Sequence, residues 1–330
     1  KKVCYVLYNE RPHSGVIRNQ VIELLKEISK NKKIKIYVIS IWQPLVYLYH
    51  FNEIRNLRNE LIKSQIILES YWFALPNKFF LNNVFFLNLL KRYLSFFFIF
   101  LKIKRFQVIH CRSYVPSFII SRINRPESTK LIFDMRSLLP EENIVVGNWK
   151  YNSAIYLLWK KIELFTIKNS DVIITVSENM KKRVKKLNIK SKIININLIG
   201  SLSKFRFNKR ERDVFHHKHG IEDKFVILYT GSLGNNIWNN INNYAIFVSK
   251  LLKINNQFFF IFSVPNIEPY FFIIFDKFKI KRSNYLFIKG IDKDIFNASD
   301  AGVNILSKTL DTDTRFGIKV AEYFSHGLPV

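Results

Sequence analysis

The stretch TRFGIKVAEYFSHGLPV, residues 314–330, sets Lys319 three residues before Glu322. If residues from about Phe316 to Ser325 are helical, the two side chains share a face. A carboxylate with two acceptor oxygens can grip a vicinal diol such as a ribose, and Lys319 with Arg315 can meet a diphosphate. The same spacing also suits an exposed ion pair of little consequence. Gly327 ends the helix and Pro329 fixes the following turn. Upstream, TGSLG places Gly231 and Gly234 where backbone amides can approach a ligand, with Ser232 between them. Tight turns use such glycines routinely. A third cluster is FDMRSLLPEEN, residues 133–143. Asp134 and Arg136 alternate along an extended run and emerge on one side, with Glu141 and Glu142 on the loop beyond. An ion-paired turn and an acceptor-orienting site are both compatible with that pattern.

These residues need strands and helices to hold them. Val3–Tyr8, Ile34–Ile41, Val108–Cys111, Leu131–Met135 and Val172–Val176 read as strands. Apolar residues at Ile17, Val21, Leu24, Leu25 and Ile28 have helical spacing. A helix is expected around Ile155–Ile167, and Ser177 reads as the cap of another through Leu187. After a polar, charged stretch from Ser201 to Lys224, read as a linker, the alternation resumes. Strands are expected at Phe225–Thr230, Phe258–Ser263, Tyr285–Lys289 and Ala301–Ile305, with helices to about Ile254, from Asp292 and at the end. Such alternation implies mostly parallel sheets covered on both faces, with ligands beyond the carboxyl ends of the strands. The expected organisation is two doubly wound α/β domains, 1–203 and 204–330, facing a cleft. The second is short, and Pro329-Val330 reads as the start of a further strand, so the chain is expected to be cut short at its C-terminus.

Composition narrows the classes. The formal net charge is +27 and the sequence pI about 10.0, which attracts nucleic acid, anionic lipid or phosphorylated ligands. No zinc-finger spacing, aromatic RNP string or helix-turn-helix supports nucleic acid as a partner. Between Glu69 and Glu127 there is no acidic residue, and this window holds FFLNNVFFLNLLKRYLSFFFIFLKIKR. It reads either as a helix lying on a bilayer surface or as a core helix with a basic outer face. No apolar run reaches the ~18 residues of a spanning helix, and no secretory leader pattern is present. Cys4 and Cys111 fall in apolar strands, where buried reduced thiols are expected, as in a cytosolic protein.

With those residues in view, Glu322-Tyr323-Phe324-Ser325-His326-Gly327-Leu328-Pro329-Val330 resembles E-(A/Y)-(M/L)-A-x-G-x-P-V. That string ends the nucleotide-sugar motif of glycosyltransferase family 4, the retaining GT-B enzymes. The resemblance implies that Glu322 binds the nucleotide ribose. The family's second Glu stands eight residues upstream and contacts the donor sugar; here Thr314 occupies that place, with Asp313 beside it. Phe316-Gly317 match the family's Phe-Gly, and Lys319-x-x-Glu322 resembles a branch written S-P-T-K-x-x-E-Y-L. GSLG resembles the donor phosphate loop, but Ser232 and Ile237 stand at about the places of its usual Arg and Lys. Arg315, Lys319 or Lys289 would then supply the positive charge.

The resemblance extends through the first half. FDMRSLLPEEN is similar to F-D-M-R-G-x-x-x-x-E at the acceptor side, where relatives place a catalytic His or Asp; Ser137 replaces the Gly. WKKIELF and SDVIITVSENM follow at similar intervals. Arg11-Pro12-His13-Ser14-Gly15 occupies the family's first glycine-rich turn near the acceptor, which marks His13 and Gly15. His110 is either a donor-sugar contact or a structural histidine. Asp311-Thr312-Asp313 imitates the metal-binding Asp-x-Asp of the other large glycosyltransferase fold, and in this position reads as a loop coincidence. His216-His217-Lys218-His219 has no partnering ligands, so no metal or other cofactor is assigned.

The implied function is transfer of a sugar from a UDP- or GDP-sugar to a glycan acceptor, lipid-linked, in cell-surface polysaccharide assembly. The protein would be cytoplasmic, peripheral on the inner face of the membrane through residues 76–126. Asp134, Arg136 or Glu142 would orient the acceptor hydroxyl. Two alternatives stay open: an inactive GT-B module that binds membrane or nucleic acid, and a GT-B sugar epimerase.

Overall fold

The computed structural model describes the chain except residues 14, 188, 198–206, 236–237 and 291–293. The expected domain boundary after 203, Ser14 of the first glycine turn, Ile237 and Asp292 lie outside the described residues. The chain divides into two compact units, one of residues 1–197 with 313–315, the other of 198–312 with 316–330.

The first unit is built on seven parallel strands: β1 (Lys2–Tyr8), β2 (Lys35–Ile41), β3 (Ile66–Tyr71), β4 (Val108–Arg112), β5 (Lys130–Met135), β6 (Val172–Thr175) and β7 (Lys192–Asn195). Their order is β3-β2-β1-β4-β5-β6-β7. The chain winds outward in one direction from β1 and in the other from β4, so the β1/β4 boundary is the topological switch point where doubly wound sheets bind ligands. Five successive residues of β1, Cys4 to Tyr8, are buried, because helices cover both faces of a parallel sheet. Cys4 and Cys111 are free and buried, and desolvation raises the pKa of both thiols.

Several elements of this unit differ from the sequence reading. The segment after β1 is helical as expected, but Arg18–Ile22 forms a π-helical turn between Gly15–Ile17 and Glu23–Ser29. Strands β3 and β7 and the helices Pro44–Tyr49, Phe51–Lys63 and Tyr114–Ser121 were not expected. Ser177 is the cap it was expected to be, its hydroxyl accepting from Met180 N. The basic-aromatic window forms the helix Val84–Phe100, which buries Leu87, Leu90, Leu94 and Phe98 at helical spacing. Its inner face is core, and its outer face is mainly apolar, with Phe85, Leu89, Tyr93, Phe96 and Phe100 exposed there beside the exposed Arg92. Among the described residues no helix is long and apolar enough to cross a membrane.

The second unit holds four parallel strands, β8 (Phe225–Thr230), β9 (Phe258–Val264), β10 (Tyr285–Lys289) and β11 (Ala301–Gly302), in the order β10-β9-β8-β11. One face is packed by Tyr229, Tyr244, Phe262, Phe271, Phe275 and Phe287. β11 is shorter than expected. A Cβ on Gly302 would lie 2.4 Å from the Tyr323 ring, so only glycine lets the closing helix approach this edge. Beyond it the chain leaves the sheet and is tied by Ile305 N donating to the Tyr244 hydroxyl. Gly302 N donates to Pro329 O at 2.7 Å, so the residue after Gly-Leu lies alongside β11.

The expected linker contains a helix, Lys209–His219, capped by the Asn208 side chain and closed by Gly220 at φ +63. His216 is buried, with Nε2 at 2.8 Å from Ala298 O, and Arg212 pairs with Asp300 at 2.9 Å. His216 is therefore structural, whereas His217 is exposed and lies 3.0 Å from Glu222. Among the described residues no group of three or more His, Cys, Asp or Glu is arranged to hold a metal ion.

Candidate functional site

In the first unit, the carboxyl ends of β1, β4 and β5 deliver one polar cluster at the switch point. Asp134 is buried between three donors. Arg136 Nη1 lies 3.2 Å from its Oδ1, His110 Nε2 lies 3.4 Å from Oδ2, and the Tyr5 hydroxyl donates to Oδ2 at 3.2 Å. Arg112, also buried, stands 4.0 Å from the same oxygen and donates through Nε to Glu10 at 2.5 Å. Gln20, on the π-helical turn, accepts from both guanidinium groups at 2.8 Å. Burial alone would raise the Asp134 pKa, but the His110 imidazole and the Arg136 and Arg112 charges outweigh it and hold the carboxyl below its usual range. The structure thus brings together Asp134, Arg136 and His110. Sequence reasoning missed Arg112, Gln20 and Glu10. The alternation of His110 and Arg112 along β4, matching Asp134 and Arg136 along β5, was the available signal.

Glu142 does not join that cluster. The helix Leu139–Val145 turns its two adjacent glutamates to different surroundings. Glu141 is buried against Lys160 at 3.1 Å and Arg183 at 2.9 Å. Lys160 also pairs with the buried Glu163, to which the Tyr114 hydroxyl donates at 2.5 Å. Glu142 faces Arg315 at 3.1 Å. Arg315 belongs to the segment 313–315 that is part of the first unit. The Ser177 hydroxyl donates to Thr314 O at 2.7 Å, and Asn179 Nδ2 to Asp313 O at 3.0 Å. Asp313, Thr314 and Arg315 were placed with the second domain from sequence; the structure counts them with the first. His13 stands elsewhere, stacked on Trp42 at 5.6 Å and beside His50 at 4.5 Å, and burial lowers its pKa. A Cβ on Gly15 would meet nothing within 4 Å, so that glycine leaves open space beside the turn.

In the second unit, the helix Ile318–Ser325 carries Lys319 and Glu322 at the carboxyl end of the sheet. Tyr323 anchors it, its hydroxyl accepting from Thr230 N at 2.9 Å. Lys319 reaches back across the glycine loop: a Cβ on Gly231 would lie 3.6 Å from its Nζ. Nζ donates to the Tyr229 hydroxyl at 3.1 Å and to Asn239 Oδ1 at 3.0 Å, and lies 4.3 Å over the Tyr229 ring. These partners are neutral. Burial lowers the Lys319 pKa to about 8, with Glu322 opposing the shift. Glu322 is half-buried; burial raises its pKa, and Lys319 opposes that. Each charge of the pair is thus disfavoured by its surroundings.

The loop itself differs from the expectation of free glycine amides. Gly231 N donates to Ser263 O at 2.9 Å and Gly234 N to Asn239 O at 3.1 Å. The Tyr229 hydroxyl donates to Ser232 O at 2.6 Å, which turns the Leu233 N–H of the same peptide plane away from Tyr229. Gly231 has φ +112, so its role is conformational. The helix after the loop starts only at Ile241, capped by Asn240. Lys289, the other candidate cation, is exposed at the end of β10.

Residues 19–196 match the model of Glycosyltransferase Family 4, and the chain belongs to that family. Its fold is the GT-B fold of solved glycosyltransferases, at low sequence identity. HepE from Anabaena, in complex with UDP and glucose, superposes with a TM-score of 0.64 at 12% identity, over all of this chain and 79% of that one. Sucrose-phosphate synthase from Thermosynechococcus elongatus gives 0.66 at 12% identity, over all of this chain and 80% of that one. WaaG, a glycosyltransferase involved in lipopolysaccharide biosynthesis, gives 0.60 at 12%, over 99% and 80%. No curated protein matches the sequence.

Proposed function

We propose that this protein transfers a sugar from a nucleoside-diphosphate sugar, with UDP or GDP as the nucleotide, to a lipid-linked glycan acceptor in cell-surface polysaccharide assembly. The observation that carries the reading is the Lys319–Glu322 pair, a half-buried carboxylate and a desolvated ammonium held beside the Gly231 loop by neutral partners. A nucleoside diphosphate supplies what both side chains lack. Its phosphates bring negative charge to Lys319, and its ribose brings two hydroxyl donors to Glu322.

As the diphosphate leaves, charge develops on its oxygens, and a preorganised cation in a water-poor site stabilises that charge more than it stabilises the ground state. Lys319 takes this role in place of the family's loop cations; Arg315 is drawn to Glu142 instead. In the first unit, Arg136 and His110 around Asp134 hold and orient the acceptor side. The configuration at the sugar is retained and no metal is required, following the family. The enzyme works at the cytoplasmic face of the membrane, bound there through the basic-aromatic segment 76–126.

The test is to incubate the protein with a panel of UDP- and GDP-sugars and a membrane extract. The reading expects sugar to appear in the lipid fraction and nucleoside diphosphate to be released with it. Release of a free, altered sugar without acceptor would turn the assignment to an epimerase. No nucleotide binding at all would leave only a fold without the activity.

A further inference from the structure

We infer that the first unit presents a two-part surface to an anionic bilayer, formed by the outer face of the Val84–Phe100 helix together with the short Pro44–Tyr49 helix. The inference rests on the membrane placement proposed above and adds the second element to it.

The long helix spends Leu87, Leu90, Leu94 and Phe98 on the core, yet Phe85, Phe96 and Phe100 on its other side are 69, 72 and 72% exposed. The Pro44–Tyr49 helix buries none of its residues, and Leu45, Leu48 and Tyr49 are 81, 68 and 82% exposed. A folded protein seldom leaves so much large apolar surface together in water unless something covers it.

The Pro44–Tyr49 helix follows the carboxyl end of β2, and the long helix packs on Tyr71 and Phe73 at the carboxyl end of the neighbouring β3. Trp42 N donates to Tyr71 O at 2.7 Å and Ala74 N to Trp42 O at 2.6 Å, which ties the carboxyl ends of β2 and β3 together. From Trp42, ring contacts run to Tyr47 at 6.3 Å and on to Phe51 at 6.1 Å. On the other side, Tyr71 meets Phe97 at 4.9 Å, and Phe73 meets Tyr93 at 5.2 Å and Phe97 at 4.6 Å. Two aromatic groups, joined through the backbone of these adjacent strand ends, therefore support the two exposed faces.

Charge selects the occupant. No acidic residue lies between Glu69 and Glu127, while Lys91, Arg92, Lys102 and Arg105 do. Arg105 is paired with Glu69 at 3.6 Å, whereas Lys91 stands near the like charges of Arg122 and Arg92, which together with partial burial lower its pKa. An anionic headgroup layer over hydrocarbon supplies both the charge and the apolar phase. The surface also adjoins the acceptor side, because Trp42 stacks on His13 of the first glycine turn. A lipid-linked acceptor would arrive from the face on which the bilayer lies.

Vesicle flotation of the full chain tests this, with phosphatidylglycerol-rich and pure phosphatidylcholine vesicles as probes. Wild type is expected to float with the anionic vesicles and far less with the neutral ones. Leu48→Glu combined with Tyr49→Glu, and separately Phe96→Glu, should each lower anionic-vesicle partition by about tenfold or more. All three side chains are exposed, so the thermal midpoint should not move. Undiminished flotation of the Leu48→Glu/Tyr49→Glu protein beside loss in Phe96→Glu would overturn the two-part surface and leave the long helix as sole anchor. Failure of wild type to float would overturn the membrane placement itself. A wild-type dimer that Leu48→Glu/Tyr49→Glu converts to monomer, with flotation intact, would assign the second patch to a second copy of this chain and likewise overturn the inference.

Discussion

The polar clusters of the two units treat charge in opposite ways. Around Asp134 every ionised group has an ionised partner, and the carboxyl pKa falls because its charged form is the favoured one. Around Lys319 the partners are a phenol, an amide oxygen and an aromatic face, and the ammonium pKa falls because its charged form is the disfavoured one. Glu322 is displaced the same way, upward. The Asp134 charge is balanced by cations of its own unit, whereas on the reading proposed above Lys319 and Glu322 receive their complement from the nucleotide. The contrast is between a carboxylate whose charge its neighbours favour and an ammonium whose charge its surroundings oppose.

The largest effect that would break this comparison lies in the first cluster. Asp134→Asn leaves the buried Arg112 and the partly buried Arg136 beside a neutral group and should cost about 3–5 kcal/mol of stability, read from the urea midpoint. The sign of the pH dependence follows. Because the folded-state pKa is depressed, the stabilisation is present above the ordinary carboxylate range and is lost as pH falls through the folded value. Arg136→Ala, at the edge of the same cluster, should depress turnover by about a hundredfold while donor binding is preserved. A wild-type rate would remove Arg136 from the acceptor side.

In the second cluster the expectation reverses. Lys319→Met removes a desolvated charge and should leave stability unchanged or higher, while weakening UDP or GDP binding by about 2 kcal/mol. A marked loss of stability would show that the charge of Lys319 is favoured by its surroundings, as that of Asp134 is. The smallest effect is a pH profile. With a pKa of about 8, Lys319 in the free protein loses its proton well below the usual lysine range. Nucleotide affinity should be level below that pH and fall above it by up to about tenfold per unit. The stability profile runs the other way. Between about 8 and the unfolded value the unfolded chain holds more protons, so stability should rise with pH.

How much of this was legible in the sequence depended on whether the signal was periodic or relational. The strands β1, β2, β4, β5, β6, β8, β9 and β10 stand out as apolar runs between polar loops. β3 and β7 do not, because IILESY and KIIN carry polar residues and are only partly buried. The Lys209–His219 helix was hidden by its charge, although Asn208 and Gly220 were readable as its caps. Which of Glu141 and Glu142 is buried could not be read from two identical neighbours. It depends on Lys160 and Arg183, which sequence leaves far away. The Lys319–Glu322 spacing was legible, but the reason Lys319 matters was not: its neutral partners Tyr229 and Asn239 come together only in the folded unit.

The most direct test is isothermal titration of UDP and GDP into the wild-type protein and Glu322→Ala, with thermal midpoints measured alongside. The account predicts that one of the two nucleotides binds wild type and that the variant binds it about 1–3 kcal/mol more weakly at unchanged stability. Equal affinity of the two proteins for that nucleotide would contradict the ribose role of Glu322, and with it the assignment of this helix as the donor site.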